Sequence, residues 1–145
     1  MNRRSAMNTI ILATDGSLHS DAAARFLVES PLLNRDFVVH VVHCEPDVGG
    51  DVKSFIDKAD IAAWHHEESG KAMQSVVGIL SAANVGHECH EFVGFTPEKI
   101  VEYAKQIDAG AIVIGSHHHS PLINAIRGSV SGRILAHSPC PVLLV

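Results

Sequence analysis

Two polar stretches interrupt an otherwise apolar pattern and carry residue types that could do chemistry. The first is Thr14-Asp15-Gly16-Ser17, directly after the run Thr9-Ile10-Ile11-Leu12-Ala13. The second opens with Gly115-Ser116-His117-His118-His119-Ser120 and resumes at Arg127-Gly128-Ser129-Val130-Ser131. Asp15, at the end of a strand, is placed to accept hydrogen bonds from a ribose, as acidic residues do in dinucleotide folds. Gly128 lets backbone approach a phosphate, and Ser129 and Ser131 supply hydroxyl donors. They start a helix, where unpaired N–H groups and the positive dipole end attract anions. Each signal also has an ordinary structural explanation. Gly-Ser before a helix is often only a cap, and Asp-Gly is a common turn pair. No GxxxxGK[ST] occurs, which disfavours a P-loop NTPase.

Histidine is the compositional anomaly, at 11 of 145 residues. The triplet His117-His118-His119 invites a metal reading, but adjacent side chains diverge, and a structural zinc takes four ligands in a tetrahedron. His65-His66 belongs to a helical stretch, and His87 and His90 point to opposite faces of a regular strand. No ligand spacing emerges, so no metal site is expected. No catalytic residue is expected either. Ser17 and His19, or Ser116 and His117, are close only in sequence, and triads are recognised by geometry. Cys44, Cys89 and Cys140 are odd in number and form no CxxC, which fits reduced thiols. Trp64 and Tyr103 read as core or interface anchors, not as a base-stacking platform.

These groups need a scaffold, and the hydrophobic pattern supplies one. Thr9 to Ala13, Phe37 to Val42, Ala111 to Ile114 and Pro141 to Val145 are continuous apolar runs bounded by turn residues. Such runs indicate strands buried on both faces. His87 to Val93 is more polar and suits an edge strand. Helices are expected over Asp21 to Glu29 with Ser20 as N-cap, over Lys53 to Ala83 ending near Asn84 and Gly86, and around Val130 to Ala136. A further helix starts at Thr96 as N-cap with Pro97 at N1. It buries Ile100, Val101, Ala104 and Ile107 and is stopped by Gly110. Strands alternating with helices argue for a parallel sheet wrapped on both faces.

The chain has one domain's length, and its formal net charge is −5. That balance argues against sequence-blind nucleic-acid binding and against a polybasic membrane patch. No apolar run approaches the ~20 residues needed to span a bilayer. The Met1-to-Met7 start resembles a twin-arginine leader, but the apolar stretch after it is stopped by Asp15, too soon for an h-region. A cytoplasmic protein is expected, with residues 1–7 as an extension and 8–145 as the domain.

Taken together the chain resembles a universal stress protein domain. The resemblance is carried by Ile11 to Ser17, His40-Val41, Gly94-Phe95-Thr96-Pro97-Glu98-Lys99-Ile100, Asp108 to Ser116, and Gly128-Ser129-Val130-Ser131 through Val145. It implies a five-stranded parallel sheet of order 3-2-1-4-5, with helices on both faces, of the adenine nucleotide alpha hydrolase-like kind. It also implies a homodimer paired through the last strand, Val142 to Val145, and a nucleotide site for ATP, with magnesium. Ala13, Thr14, Asp15 and Val41 would line the adenosine side. Gly115, Gly128, Ser129, Val130 and Ser131 would hold the phosphates. The family motif is a glycine, two residues, a glycine, nine residues, then Gly-Ser. Here His118 replaces the second glycine, where it closes the pocket or donates to a phosphate oxygen. The implied function is an adenine-nucleotide-binding module of the stress response that turns ATP over slowly or not at all. The alternative is a scaffold of the same fold whose phosphate loop His118 blocks.

Overall fold

Five short segments, four apolar and one polar, form a single sheet. They are β1 (Thr9–Ala13), β2 (Val38–Glu45), β3 (His87–Val93), β4 (Ala111–Ile114) and β5 (Val142–Leu144). All neighbours run parallel, in the order β3-β2-β1-β4-β5. The structure, a computed structural model, describes residues 9–34, 36–115 and 130–145. The helices between the strands are α1 (Leu18–Glu29), α2 (Gly50–Phe55), α3 (Lys58–Ala82), α4 (Thr96–Gln106) and α5 (Val130–His137).

The two-residue period of the strands divides the core into two layers. Ile10, Leu12, Val39, Val41 and Val113 face α1 and α3, where they meet Ala23, Ala24, Leu27, Met73, Val76 and Leu80. Ile11, Val42, Ile112 and Ile114 face the other way, onto Ile100, Val101 and Ala104 of α4 and Ile134 of α5. Leu12, Ile11, Ile112 and Ile134 are fully buried, and burying such a side chain contributes about 1.5–3 kcal/mol. The polar segment His87–Val93 is an edge strand, as its composition suggests.

Several boundaries differ from the sequence expectation. The stretch 53–83 is two helices, because Ile56 is extended (φ −125°, ψ 137°) and Asp57 takes the N-cap position of α3. The buried stripe of α3 is His65, Ser69, Met73, Val76 and Leu80, so two of its members are polar, while Ile56 is 45% exposed. Helix α1 begins at Leu18 with Ser17 in the cap position, and Ser20 lies buried in its first turn. Thr96 is the first residue of α4, with Phe95 before it as the cap. Asn84 (φ 57°) ends α3 in the left-handed region as expected, but Asp108 (φ 52°), not Gly110, does this for α4. Gly110 instead donates its N–H to the Thr9 carbonyl at 2.8 Å and so leads into β4. Tyr103 is buried, whereas Trp64 is 45% exposed.

Candidate functional site

Parallel strands end with unpaired backbone at their carboxyl ends, and the elements that follow must turn away there. In this sheet the turns after β1 and β4, neighbours at its centre, leave a cleft of about 350 Å³. Ala13, Thr14 and Asp15 line it from β1, Ile114 and Gly115 from β4, and Val130 and Ser131 from the start of α5. Val42, His43 and Cys44 close it from β2, and Thr96 and Ile100 from α4. A larger cleft of about 510 Å³ lies between α3 and the end of β3, where it is lined by His65, His66 and Glu91. It does not touch the polar turn after β1.

Asp15 is fixed by its own turn. Its Oδ1 accepts from the Ser17 N–H and from the Ser20 hydroxyl, both at 2.9 Å, while its N–H donates to Ser20 Oγ at 3.1 Å. Burial alone would raise the carboxyl pKa, but the hydrogen bonds from Ser17 and Ser20 outweigh it and hold the group below the ordinary 3.8. The carboxylate is therefore charged at neutral pH, and the residue is exposed at the cleft.

Thr14 anchors the same turn from the other side. Its hydroxyl donates to the Ala72 carbonyl of α3 at 3.2 Å and accepts the Gly16 N–H at 3.1 Å. Gly16 sits at φ +81°, and a Cβ there would stand 3.1 Å from Ala72 Cα, so the turn packs directly against α3 backbone. The Thr14 N–H donates to the Val42 carbonyl at 2.9 Å, and the Thr14 carbonyl accepts from His43 Nδ1 at 2.7 Å. His43 Nε2 meets Glu45 Oε1 at 2.6 Å. Gly115 is required by a close approach: a Cβ on it would overlap the His19 carbonyl, so β4 ends hard against the first turn of α1.

The structure thus brings Ala13, Thr14, Asp15, Gly115, Val130 and Ser131 to one cleft. His118, Gly128 and Ser129 lie outside the described residues, as does the His117–His119 triplet. Val41 is not among the residues lining this cleft. Its side chain is fully buried on the face toward α1 and α3, and Val42 and Cys44, of opposite parity to it, reach the cleft instead. The sequence reading also missed His43, Cys44 and Thr96. The polar His43-Cys44-Glu45 ending of an apolar run was the available signal. Burial raises the Cys44 thiol pKa, with Thr96 and Lys99 pulling weakly the other way, so this cleft cysteine is a thiol and not a nucleophilic thiolate.

Among the described residues, one group of side chains able to offer ligand atoms to a metal ion was not anticipated. His40, Glu88 and His90 converge on the face of the sheet that α4 covers. Glu88 and His90 are two apart on β3, and His40 is the register partner of Glu88 on β2. The Glu-x-His alternation was visible, but its partner strand was not.

Comparison with known proteins adds the following. A family model described as the universal stress protein family matches residues 7–145. A universal stress protein of Methanocaldococcus jannaschii is 27% identical over 99% of this chain and 85% of its own length. The solved structure of a universal stress protein from Archaeoglobus fulgidus is 30% identical, with TM-score 0.70, and covers 95% of this chain and 97% of that one. An Archaeoglobus fulgidus universal stress protein solved in complex with dAMP is 27% identical, with TM-score 0.67, over 95% and 96% of the two chains.

Proposed function

Because the chain belongs to the universal stress protein family, we propose that the cleft at the mouth of β1 and β4 binds an adenine nucleotide, ATP as its magnesium complex or a monophosphate. On this reading the protein is a cytoplasmic stress-response module that acts through ligand-dependent partner binding and not through rapid turnover. The observation that carries it is the convergence of Asp15, Gly115, Val130 and Ser131 on one cleft. The dAMP complex of an Archaeoglobus relative supports the ligand class.

On this reading the cleft residues divide the ligand between them. Asp15 Oδ2 accepts from the ribose hydroxyls, while Oδ1 is committed to Ser17 and Ser20. The apolar wall of Ala13, Val42 and Ile100 receives the base. The first turn of α5, with Ser131, turns N–H and hydroxyl donors toward the phosphates. Gly128 and Ser129 would extend that cradle.

A second copy of the chain completes the proposal. Strand β5 pairs only with β4 among the described strands, and Leu144 is 37% exposed on it. An apolar edge strand is a template for association, so pairing along Val142–Val145 across a two-fold axis gives a homodimer. Light scattering at micromolar concentration should give the mass of two chains, and a monomer there removes this part.

Calorimetric titration with ATP·Mg²⁺ and with AMP tests the ligand. One site per chain is expected, weakened at least tenfold by Asp15→Ala. No heat and no thermal shift at millimolar nucleotide would remove the reading. If the parent is silent and His118→Gly binds, the scaffold alternative takes its place.

A further inference from the structure

We propose that His40, Glu88 and His90 form a binding site for a divalent transition-metal ion of the zinc class, on the α4-covered face of strands β2 and β3. The site is separate from the nucleotide cleft and does not depend on that reading. Its three side chains offer ligand atoms that all lie within 4.8 Å of one another.

The two imidazoles each approach a different oxygen of the Glu88 carboxylate. His40 Nε2 is 3.4 Å from Glu88 Oε2, and His90 Nε2 is 3.5 Å from Glu88 Oε1. Bonds of about 2.0–2.1 Å in a tetrahedron place neighbouring ligand atoms roughly 3.3–3.4 Å apart. Two imidazoles and one carboxylate are a donor set that zinc and its neighbours accept, with the fourth position left open to solvent.

The residues around the ligands prepare them. His40 Nδ1 is 2.7 Å from the hydroxyl of Tyr103, which is buried in α4. That contact occupies Nδ1 and leaves Nε2 for an ion, the usual arrangement of a ligating histidine held by a second partner. His90 Nε2 is buried and makes no hydrogen bond. It stands 3.5 Å from Glu88 Oε1 without forming a hydrogen bond, a costly state for a buried ring nitrogen, and an ion between the two would supply the missing contact. The two imidazoles are nearly parallel, with centroids 5.0 Å apart at 10°, and no hydrogen bond holds His90 Nε2. The side chains of His40 and His90 are 13% and 30% exposed and that of Glu88 is 58% exposed, which leaves an entry path on the solvent side. Bound there, an ion would clasp the edge strand β3 to β2.

The test uses untagged, full-length protein stripped with a chelator. Equilibrium dialysis against Zn²⁺, together with Co²⁺ visible spectra, reads affinity and geometry. Because the chain has 11 histidines, a control replaces His117, His118 and His119 together by Ala. One ion per chain at micromolar Zn²⁺ and an intense tetrahedral Co²⁺ band are expected, both retained in the control. Glu88→Gln and His90→Ala should each weaken binding at least tenfold and lose the band. Tyr103→Phe should weaken it about 10–100-fold while keeping the stoichiometry. Glu88 is exposed, so its variant keeps the test valid should His90→Ala fold poorly. Absence of a stoichiometric ion, binding lost in the control, or binding unchanged in Glu88→Gln and His90→Ala would each overturn the proposal.

Discussion

His43 Nδ1 lies 2.7 Å from the carbonyl oxygen of Thr14, joining the end of β2 to the turn that carries Asp15. A carbonyl only accepts, so Nδ1 carries the hydrogen. His43 is 7% exposed, and its removal leaves the Thr14 carbonyl without this donor in a buried place. His43→Ala should therefore cost about 1–3 kcal/mol in denaturant unfolding and weaken nucleotide binding. Glu45→Gln keeps the bond to Thr14, because the glutamine amide can donate to an unprotonated Nε2. It should remain within about 1 kcal/mol of the parent.

Gly115 allows β4 to end against α1. A methyl group there overlaps the His19 carbonyl, and backbone cannot yield as a side-chain tip can. Gly115→Ala should destabilise the fold by about 1–3 kcal/mol and reduce the nucleotide-induced rise in Tm. A variant with parental Tm and parental affinity would show that the close approach is not needed.

The Asp15 carboxyl gives a pH dependence of known sign. Its folded pKa lies below the ordinary 3.8, because hydrogen bonds from Ser17 and Ser20 outweigh the opposing effect of burial. A depressed carboxylate contributes stability that is full above the unfolded pKa and is lost as pH falls through the folded one. Stability should thus decline below about pH 4, and Asp15→Asn should flatten part of that slope. Equilibrium unfolding at a series of pH values checks this, and parallel curves for the two proteins would contradict it.

Thiol reactivity distinguishes the cysteines. Cys89 is exposed and Cys44 is buried, and burial raises the pKa of both thiols. A thiol reagent applied to native protein should modify Cys89 well before Cys44. Nucleotide should slow the Cys44 reaction further, because Cys44 lines the cleft. Peptide mapping of the modified protein measures both rates.

The strands were legible because burial on both faces leaves continuous β-branched runs such as Ile10-Ile11-Leu12 and Ile112-Val113-Ile114, and the edge position of His87–Val93 followed from its polarity. Long-helix organisation was less legible. His65 and Ser69 occupy buried positions of α3 that a count of apolar residues passes over, and no glycine or proline marks the break at Ile56-Asp57. In the site, Asp15 and Gly115 were readable from residue type at a strand end. Which face Val41 presents was not readable, because strand parity depends on where the sheet is registered: Val41 pairs with Leu12 and Cys89 and shares the Leu12 face. The contacts of His43 with Thr14, and of His40 with Tyr103 63 residues away, arise only when distant segments meet, so no local pattern announces them.

Amide chemical-shift mapping during titration with ATP·Mg²⁺ tests the central claim most directly. The account predicts saturable shifts concentrated at Thr14, Asp15, Cys44, Gly115 and Ser131, lost in Asp15→Ala. Shifts gathered instead around His65 and Glu91, or no shifts at millimolar nucleotide, would contradict it.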